Sequence, residues 1–246
     1  HCTWVGAGCR VVDADGKMVP RDDGLAFPFV FFDPSEIEFL DTWHVAGLAG
    51  TGSTDYKVTD VFVPEGRWVQ IGFDPPVIEG PLSQFSFYGL LALGIAATSV
   101  GIARRSIDEL VELAESKRPQ GSSRPLRDRT TVQADTGRAD AMVRSAWAFV
   151  ADTVDVTWQG ALAGRPATEE QKRLLRLAAT HATQTAMAAT EIVYKAAGGA
   201  AVYRTSPIQR CYRDVSVAIQ HAMVAPRTYE VSGRIQLGLE TDTRQL

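Results

Sequence analysis

Apolar and polar positions follow two different periods along this chain. Up to about residue 78 they tend to alternate, whereas from about residue 84 apolar residues return every third or fourth position. The first period belongs to strands and the second to helices. Residues 3–12 (TWVGAGCRVV) are β-branched and aromatic, and DADG at 13–16 supplies turn chemistry before a return segment. FPFVFFDP (27–34), EIEFLDTW (36–43) and TDYKVTDVFVP (54–64) read as further strands. In the last of these the alternation set by Tyr56 and Val58 slips at Asp60 before Val61 and Val63, which predicts a bulge. Glycine-rich GLAGTGS (47–53) is a connection. No helical segment separates these strands, so the pattern predicts an antiparallel sheet or barrel rather than βαβ units.

In the second region Ala103, Ile107, Leu110, Val111 and Ala114 fall on one helical stripe. PQGSSRP (119–125) breaks the chain, and a second long helix is predicted from Leu126 to Ala163, ended by Gly164-Arg165-Pro166. The third opens with Thr168 and Gln171, a capping box, carries Leu174, Leu177, Ala178 and Ile192 as its stripe, and stops at Gly198-Gly199. Ser206-Pro207-Ile208-Gln209 is a fourth helix start, with serine as N-cap and proline in the first turn. Long helices with short connections close most economically as an antiparallel bundle.

Composition narrows the class. Of 246 residues, 45% are hydrophobic and 22% charged, as in a globular protein with a sizeable core. A net charge of -4 with no basic cluster argues against nucleic-acid binding. Cys2, Cys9 and Cys211 are too few for a disulfide framework, so a reducing cytosol is the expected compartment. The first residues, His1-Cys2-Thr3-Trp4, have no signal-peptide pattern, and a start without methionine points to sequence upstream. The weakly charged run 80–103 is long enough to span a bilayer. It contains glycines and hydroxyls and flows into Arg104, Arg105, Asp108 and Glu109, so it reads instead as a central bundle helix buried on most sides, with no membrane partner.

Candidate chemistry is sparse. His1, Cys2 and Cys9 have no zinc-type spacing, and no metal site is expected. His181 lies on the third helix's stripe and reads as a hydrogen-bonded core residue, and His44 beside Trp43 as structural. His221 follows Arg210, Arg213 and Asp214, with Asp214 two turns earlier on the same face; a histidine near a helix C-terminus with a carboxylate in reach suits proton transfer. No nucleophile elbow, P-loop or dinucleotide fingerprint occurs. Gly198-Gly199 is either a simple C-cap or a place where backbone comes close to a pyrophosphate.

Two segments carry a family resemblance. WHVAGLAGTGSTDYKVTDVFVPE (43–65) resembles the β-domain segment of the acyl-CoA dehydrogenase superfamily. AAGGAAVYRTSPIQRCYRDV (196–215) resembles the flavin-contacting segment of its C-terminal helical bundle. The resemblance implies a mainly α chain. Residues 1–78 would be the C-terminal part of an antiparallel β-barrel domain and 79–246 an up-down four-helix bundle, with the family's N-terminal helical domain absent from this sequence. It also implies a flavin (FAD or FMN) and a homo-oligomer, usually a tetramer, in which a neighbouring subunit holds part of the cofactor. By position Arg118 would meet the flavin's phosphate, Gly199 and Ala200 would lend backbone contacts, and Ala222 would border the cofactor.

One position separates the branches of that superfamily. Straight-chain acyl-CoA dehydrogenases place a catalytic glutamate nine residues after the arginine of Arg-Asp. Nine residues after Arg213 stands Ala222, preceded by His221, and Glu230 comes eight residues too late. The oxygenase branch carries a histidine at the His221 position. There the resemblance implies reduced flavin supplied by a separate reductase, oxygen activated on it, and a small substrate, with aromatic compounds among the candidates. His221 would deprotonate a phenol or steady the flavin's oxygen adduct. Two alternatives stay open: an acyl-CoA dehydrogenase that takes its base from another helix, and a non-catalytic oligomerisation module.

Overall fold

The computed structural model describes residues 2–21, 24–25, 28–71 and 74–246; His1 and Phe27, which belong to segments read above, lie outside the described residues. The chain divides into two compact units. One comprises residues 1–44 and 49–78, the other residues 79–246 together with the short segment Val45–Leu48. Helix accounts for 57% of the chain, so it is mainly α with small antiparallel sheets.

In the first unit β1 (Val5–Gly8) pairs antiparallel with β4 (Phe29–Phe32), Val5 opposite Phe32 and Gly8 opposite Phe29. The far edge of β4 pairs with β7 (Trp68–Val69). Val30 and Phe32 point into the unit's core, while Phe29 and Phe31 meet edge to face at 5.5 Å. β2 (Pro20–Arg21) and β3 (Gly24–Leu25) form a second pair, and β5 (Ile37–Phe39) and β6 (Tyr56–Val58) a third. The DADG segment turns as its chemistry requires: Asp13 Oδ1 accepts the N–H groups of Asp15 and Lys17, and Gly16 has φ +78°. The slip at Asp60 is also physical, but it ends the strand rather than bulging it. β6 stops at Val58, and Asp60 adopts φ +51°, a left-handed conformation that aspartate tolerates.

In the second unit α1 (Phe87–Ser116) begins at Ser86, whose hydroxyl accepts the Gly89 N–H. A 3-10 turn at Leu126–Asp128 precedes α2 (Thr130–Leu162), which therefore starts four residues later than the apolar pattern indicates. α3 (Glu169–Ala197) has the predicted capping box, and Gly198 ends it at φ +57°. α4 (Pro207–Ala218) starts after Ser206, though the serine hydroxyl makes no cap bond there. α5 (Arg227–Gln236) follows a 3-10 turn at Ala222–Val224. α3 packs along both α1 and α2, while α4 lies against α1 and α3. The buried face of α3 is built of small residues (Ala178, Ala179, Ala182, Ala186, Ala189), which lets neighbouring helices come close.

Two packing expectations are corrected. Ala103, Ile107, Leu110 and Ala114 are buried, but Val111 is 50% exposed because it lies one residue off the contact face. α1 is long and apolar enough to cross a membrane by length and composition, and only 33% of that apolar window is buried inside the chain. It is therefore not buried on most sides here: Ala92, Ala96 and Val100 face the core, while Phe87 and Leu91 face outward.

Candidate functional site

The second unit carries distinct features at two separate places. At one, α3 ends in Gly198, Gly199 and Ala200, a 3-10 turn. Gly199 is exposed, and a Cβ added there would meet nothing within 4 Å. Lys117, which closes α1, donates from Nζ to the Ala197 carbonyl at 2.7 Å and so covers part of α3's negative end. Burial, and then the nearby Arg129 charge, pull its ammonium pKa down. Arg118 is the next residue, exposed, its guanidinium donating to the Ser123 carbonyl. The Lys117–Ala197 bond thus brings the Arg118 loop and the glycine turn to the same end of the helices. Tyr194 of α3 stacks on Tyr212 of α4 at 4.8 Å near that end.

At the other place is His221. It does not lie on the face of α4, which finishes at Ala218; it is the N-cap of the Ala222–Val224 turn, and both His221 and Ala222 are exposed. His221 Nδ1 accepts the Met223 N–H at 3.2 Å. In the neutral ring that bond leaves the proton on Nε2, facing away from the turn as a donor. The carboxylate expected beside it is occupied elsewhere. Asp214 Oδ1 accepts the Leu48 N–H at 2.7 Å, and its other oxygen is 3.9 Å from Arg210 Nε. The glycine turn precedes α4 in the chain and His221 follows it, so the 12 residues of that helix stand between the two.

Segment Val45–Leu48 is strapped to α4. Arg213 Nη1 donates to the Ala46 carbonyl at 2.6 Å, and a Cβ at Gly47 would lie 2.2 Å from the Arg213 carbonyl oxygen. The glycine of the W-x-x-x-G pattern is there because backbone meets backbone. Its neighbour Leu48 turns through φ +53°.

The other candidates disperse. His181 is exposed, not a core residue; its ring stands 6.2 Å from Phe149, on the side of α3 away from the alanine face. His44 is exposed, with Nε2 3.1 Å from the Asp41 carbonyl. Cys211 is buried, and burial pushes its thiol pKa up, away from reactivity. Among the described residues no three His, Cys, Asp or Glu side chains gather to hold a metal. An open depression of about 380 Å³ in the first unit is lined by Phe39, Leu40, Asp41, Trp43, Ala49, Gly52 and Thr54.

Residues 93–226 match the C-terminal domain of acyl-CoA dehydrogenase. The chain belongs to that family. Arg118, Gly199, Ala200, His221 and Ala222 all fall within the matched stretch. The chain is 32% identical over 223 residues to indole-3-acetate monooxygenase of Pseudomonas putida, covering 90% of this chain and 57% of that protein. It is 28% identical to the FADH(2)-dependent resorcinol hydroxylase, oxygenase component, of Rhizobium sp. (strain MTP-10005), covering 91% and 59%. The crystal structure of the HsaA monooxygenase from M. tuberculosis superposes with a TM-score of 0.86 at 26% identity, covering 99% of this chain and 62% of that one. The chain therefore spans about six tenths of the length of these relatives.

For a member of this acyl-CoA dehydrogenase family, the sequence pattern left two residues of the second unit unnoticed. Arg176 and Thr180 lie on the buried face of α3 at 5% and 0% exposure. Among the described residues Arg176 Nε and Thr180 Oγ1 are buried without a hydrogen-bond partner. Burial lowers the Arg176 pKa. The available signal was charge inside an apolar helix: Arg173 and Arg176 flank Leu174 and Leu175, and the stripe drawn through Leu174 and Leu177 is shifted by one residue from the buried face at Leu175, Ala178 and Ala179.

Proposed function

We propose that this chain is the flavin-handling part of the oxygenase component of a two-component monooxygenase. It would take reduced flavin from a separate reductase and oxygenate a small aromatic substrate with O2. The observation that carries this reading is the His221–Ala222 turn. The position where an acyl-CoA dehydrogenase needs a carboxylate holds a methyl group, and beside it stands an exposed imidazole. The names of the relatives, an indole-3-acetate monooxygenase and a resorcinol hydroxylase, support the same class.

The residues present fit a flavin. Gly199 leaves its backbone open, and Arg118 adds a cation one residue beyond the Lys117 tie. Arg118, Gly199 and Ala200 would hold the phosphate portion, and Ala222 would border the ring. FAD and FMN both fit these positions, which two neighbouring copies would complete together. When bound, the reduced flavin supplies the two electrons that activate O2.

Of the two roles open to His221, the geometry favours hydrogen-bond donation. Its Nδ1 lone pair is engaged by Met223 N–H, so Nε2–H can donate to an oxygen of substrate or cofactor, whereas accepting a phenolic proton first requires that bond to break. A cytosolic homo-tetramer belongs to the same proposal, with neighbouring copies covering the outward apolar side of α1. So does the division at 78/79 into part of a β-barrel domain and an up-down four-helix bundle. The acyl-CoA dehydrogenase reading is separated by anaerobic mixing of the oxidised, flavin-loaded protein with a panel of acyl-CoA thioesters. No bleaching of the flavin is expected; thioester-driven bleaching overturns the oxygenase reading.

A further inference from the structure

The turn that carries His221 is short, and side chains of α3 hold it. His221, its N-cap, accepts the Met223 N–H at Nδ1 (3.2 Å) and the Val224 N–H at its carbonyl (3.0 Å). From α3, Arg176 Nη1 donates to the Met223 sulfur at 3.0 Å, and Gln184 Nε2 reaches the Val224 carbonyl at 3.5 Å. Val224 is fully buried, whereas His221 and Ala222 are exposed. The same Arg176 nitrogen lies 3.5 Å from the Tyr88 carbonyl, in the first turn of α1. One guanidinium therefore ties α3 to the start of α1 and to the residue whose N–H sets the histidine ring.

Stability alone does not account for an arginine at this place. Arg173, one turn earlier and equally buried, donates to both carboxylate oxygens of Glu170 and to the Ser232 hydroxyl. Arg176 donates to no carboxylate among the described residues, and its Nε has no partner there. A buried cation with a thioether and a distant carbonyl as acceptors is poorly compensated, and an apolar side chain of similar length would cost less. What the arginine adds over an apolar residue is direction. Methionine has three rotatable bonds, and a donor at its sulfur fixes a side chain that packing alone leaves adaptable. The contact so steadied needs support: at 3.2 Å the Met223 N–H bond to Nδ1 is at the long end of the ordinary range.

We propose that Arg176 is a positioning residue for His221, holding Met223 so that its N–H keeps the ring in the tautomer with the proton on Nε2. The inference rests on the oxygenase reading for the use made of Nε2–H and deepens it by naming the residue that keeps this donor in place. Arg176 acts only through Met223, and Gln184 braces the far end of the same turn.

The test is 15N NMR of the chain with labelled histidine, at a pH where the ring is neutral, the His221 signals being assigned by their loss in His221→Asn. The Nε2–H tautomer should dominate in the parent. Arg176→Met and Met223→Leu, which keep the bulk and remove one partner each, should both lower the ratio of Nε2–H to Nδ1–H by about three- to tenfold, the worth of one hydrogen bond. Arg176→Lys, which keeps a cationic donor, should retain part of the ratio. Arg173→Met controls for the loss of a buried arginine as such: it should destabilise the protein and leave the His221 ratio unchanged. An unchanged ratio in Arg176→Met or in Met223→Leu overturns the proposal, and so does an equal change in Arg173→Met. If Arg176→Met does not fold, Met223→Leu still has to lower the ratio. Turnover with reductase-supplied flavin is a separate arm: it should fall in Arg176→Met at unchanged flavin affinity and recover in part in Arg176→Lys. A lowered ratio with undiminished turnover upholds the clamp and overturns the role given to His221 in the oxygenase reading.

Discussion

Asp214 accepts the backbone N–H of Leu48 at 2.7 Å, joining residues 166 positions apart. With the Arg213–Ala46 bond it fixes segment Val45–Leu48 on α4. Gly47 lies between these two anchors, where a Cβ would be 2.2 Å from one backbone atom and 2.7 Å from another. Backbone cannot give way as a side chain does. Gly47→Ala should therefore destabilise the protein by about 2–3 kcal/mol through the forced contact and the strained hydrogen bonds. Asp214→Asn, which keeps an acceptor oxygen, should cost only about 1 kcal/mol. Urea unfolding followed by circular dichroism measures both; a Gly47→Ala protein as stable as the parent contradicts the close approach.

The His221 cap separates a structural from a chemical role. Asparagine is a good N-cap, and its side-chain oxygen can accept the Met223 N–H in place of Nδ1. It cannot place a second donor where Nε2–H stands. His221→Asn should keep stability within about 0.5 kcal/mol and lower product formation on the order of 100-fold, with flavin affinity largely retained. Steady-state turnover and flavin titration decide it. Unimpaired turnover in the asparagine variant removes His221 from the chemistry.

The capping box at the start of α3 is reciprocal: Thr168 Oγ1 accepts the Gln171 N–H at 3.2 Å, and Gln171 Oε1 accepts the Thr168 N–H at 2.9 Å. Thr168→Ala removes the first bond and leaves an orphan amide. A loss of about 1 kcal/mol is expected, seen as a lower urea midpoint with unchanged slope.

Asp140 ties two helices together, with Arg144 Nε at 2.8 Å and Arg104 Nη2 at 2.5 Å. The hydrogen bonds from Arg144 and then Arg104 hold its carboxyl pKa below 3.8. The group is more acidic folded than unfolded, so its stabilising effect is fully present above pH about 4 and is lost as pH falls through the folded value. Asp140→Asn should lower thermal stability at pH 7 and converge on the parent in strong acid. Parallel melting curves at all pH values contradict the linkage.

Much of this organisation is legible in the sequence, and its gaps have physical causes. Helix ends were readable where local chemistry decides them: Thr168 with Gln171, Gly198 after the last apolar residue, and proline after Ser206. The start of α2 was not, because the Leu126–Asp128 turn continues the apolar pattern with a different hydrogen-bond period. The placement of His221 turned on whether α4 reaches it. Gln220-His221 carries no breaker, so nothing local in the sequence marks the end of the helix at Ala218. Positions for a cofactor came through the family resemblance, since neither an exposed arginine nor a glycine pair is distinctive alone. Arg176 and Thr180 escaped because periodicity assigns a buried face from apolar residues and skips the polar ones within it.

The oxygenase reading stands most directly on the fate of molecular oxygen. The protein, supplied with reduced flavin by a flavin reductase and a small aromatic substrate under 18O2, should yield a product heavier by one 18O atom, the second leaving as water while the flavin is oxidised. Reduced flavin consumed with both oxygen atoms recovered as hydrogen peroxide, and no labelled product from any aromatic substrate tried, would contradict it.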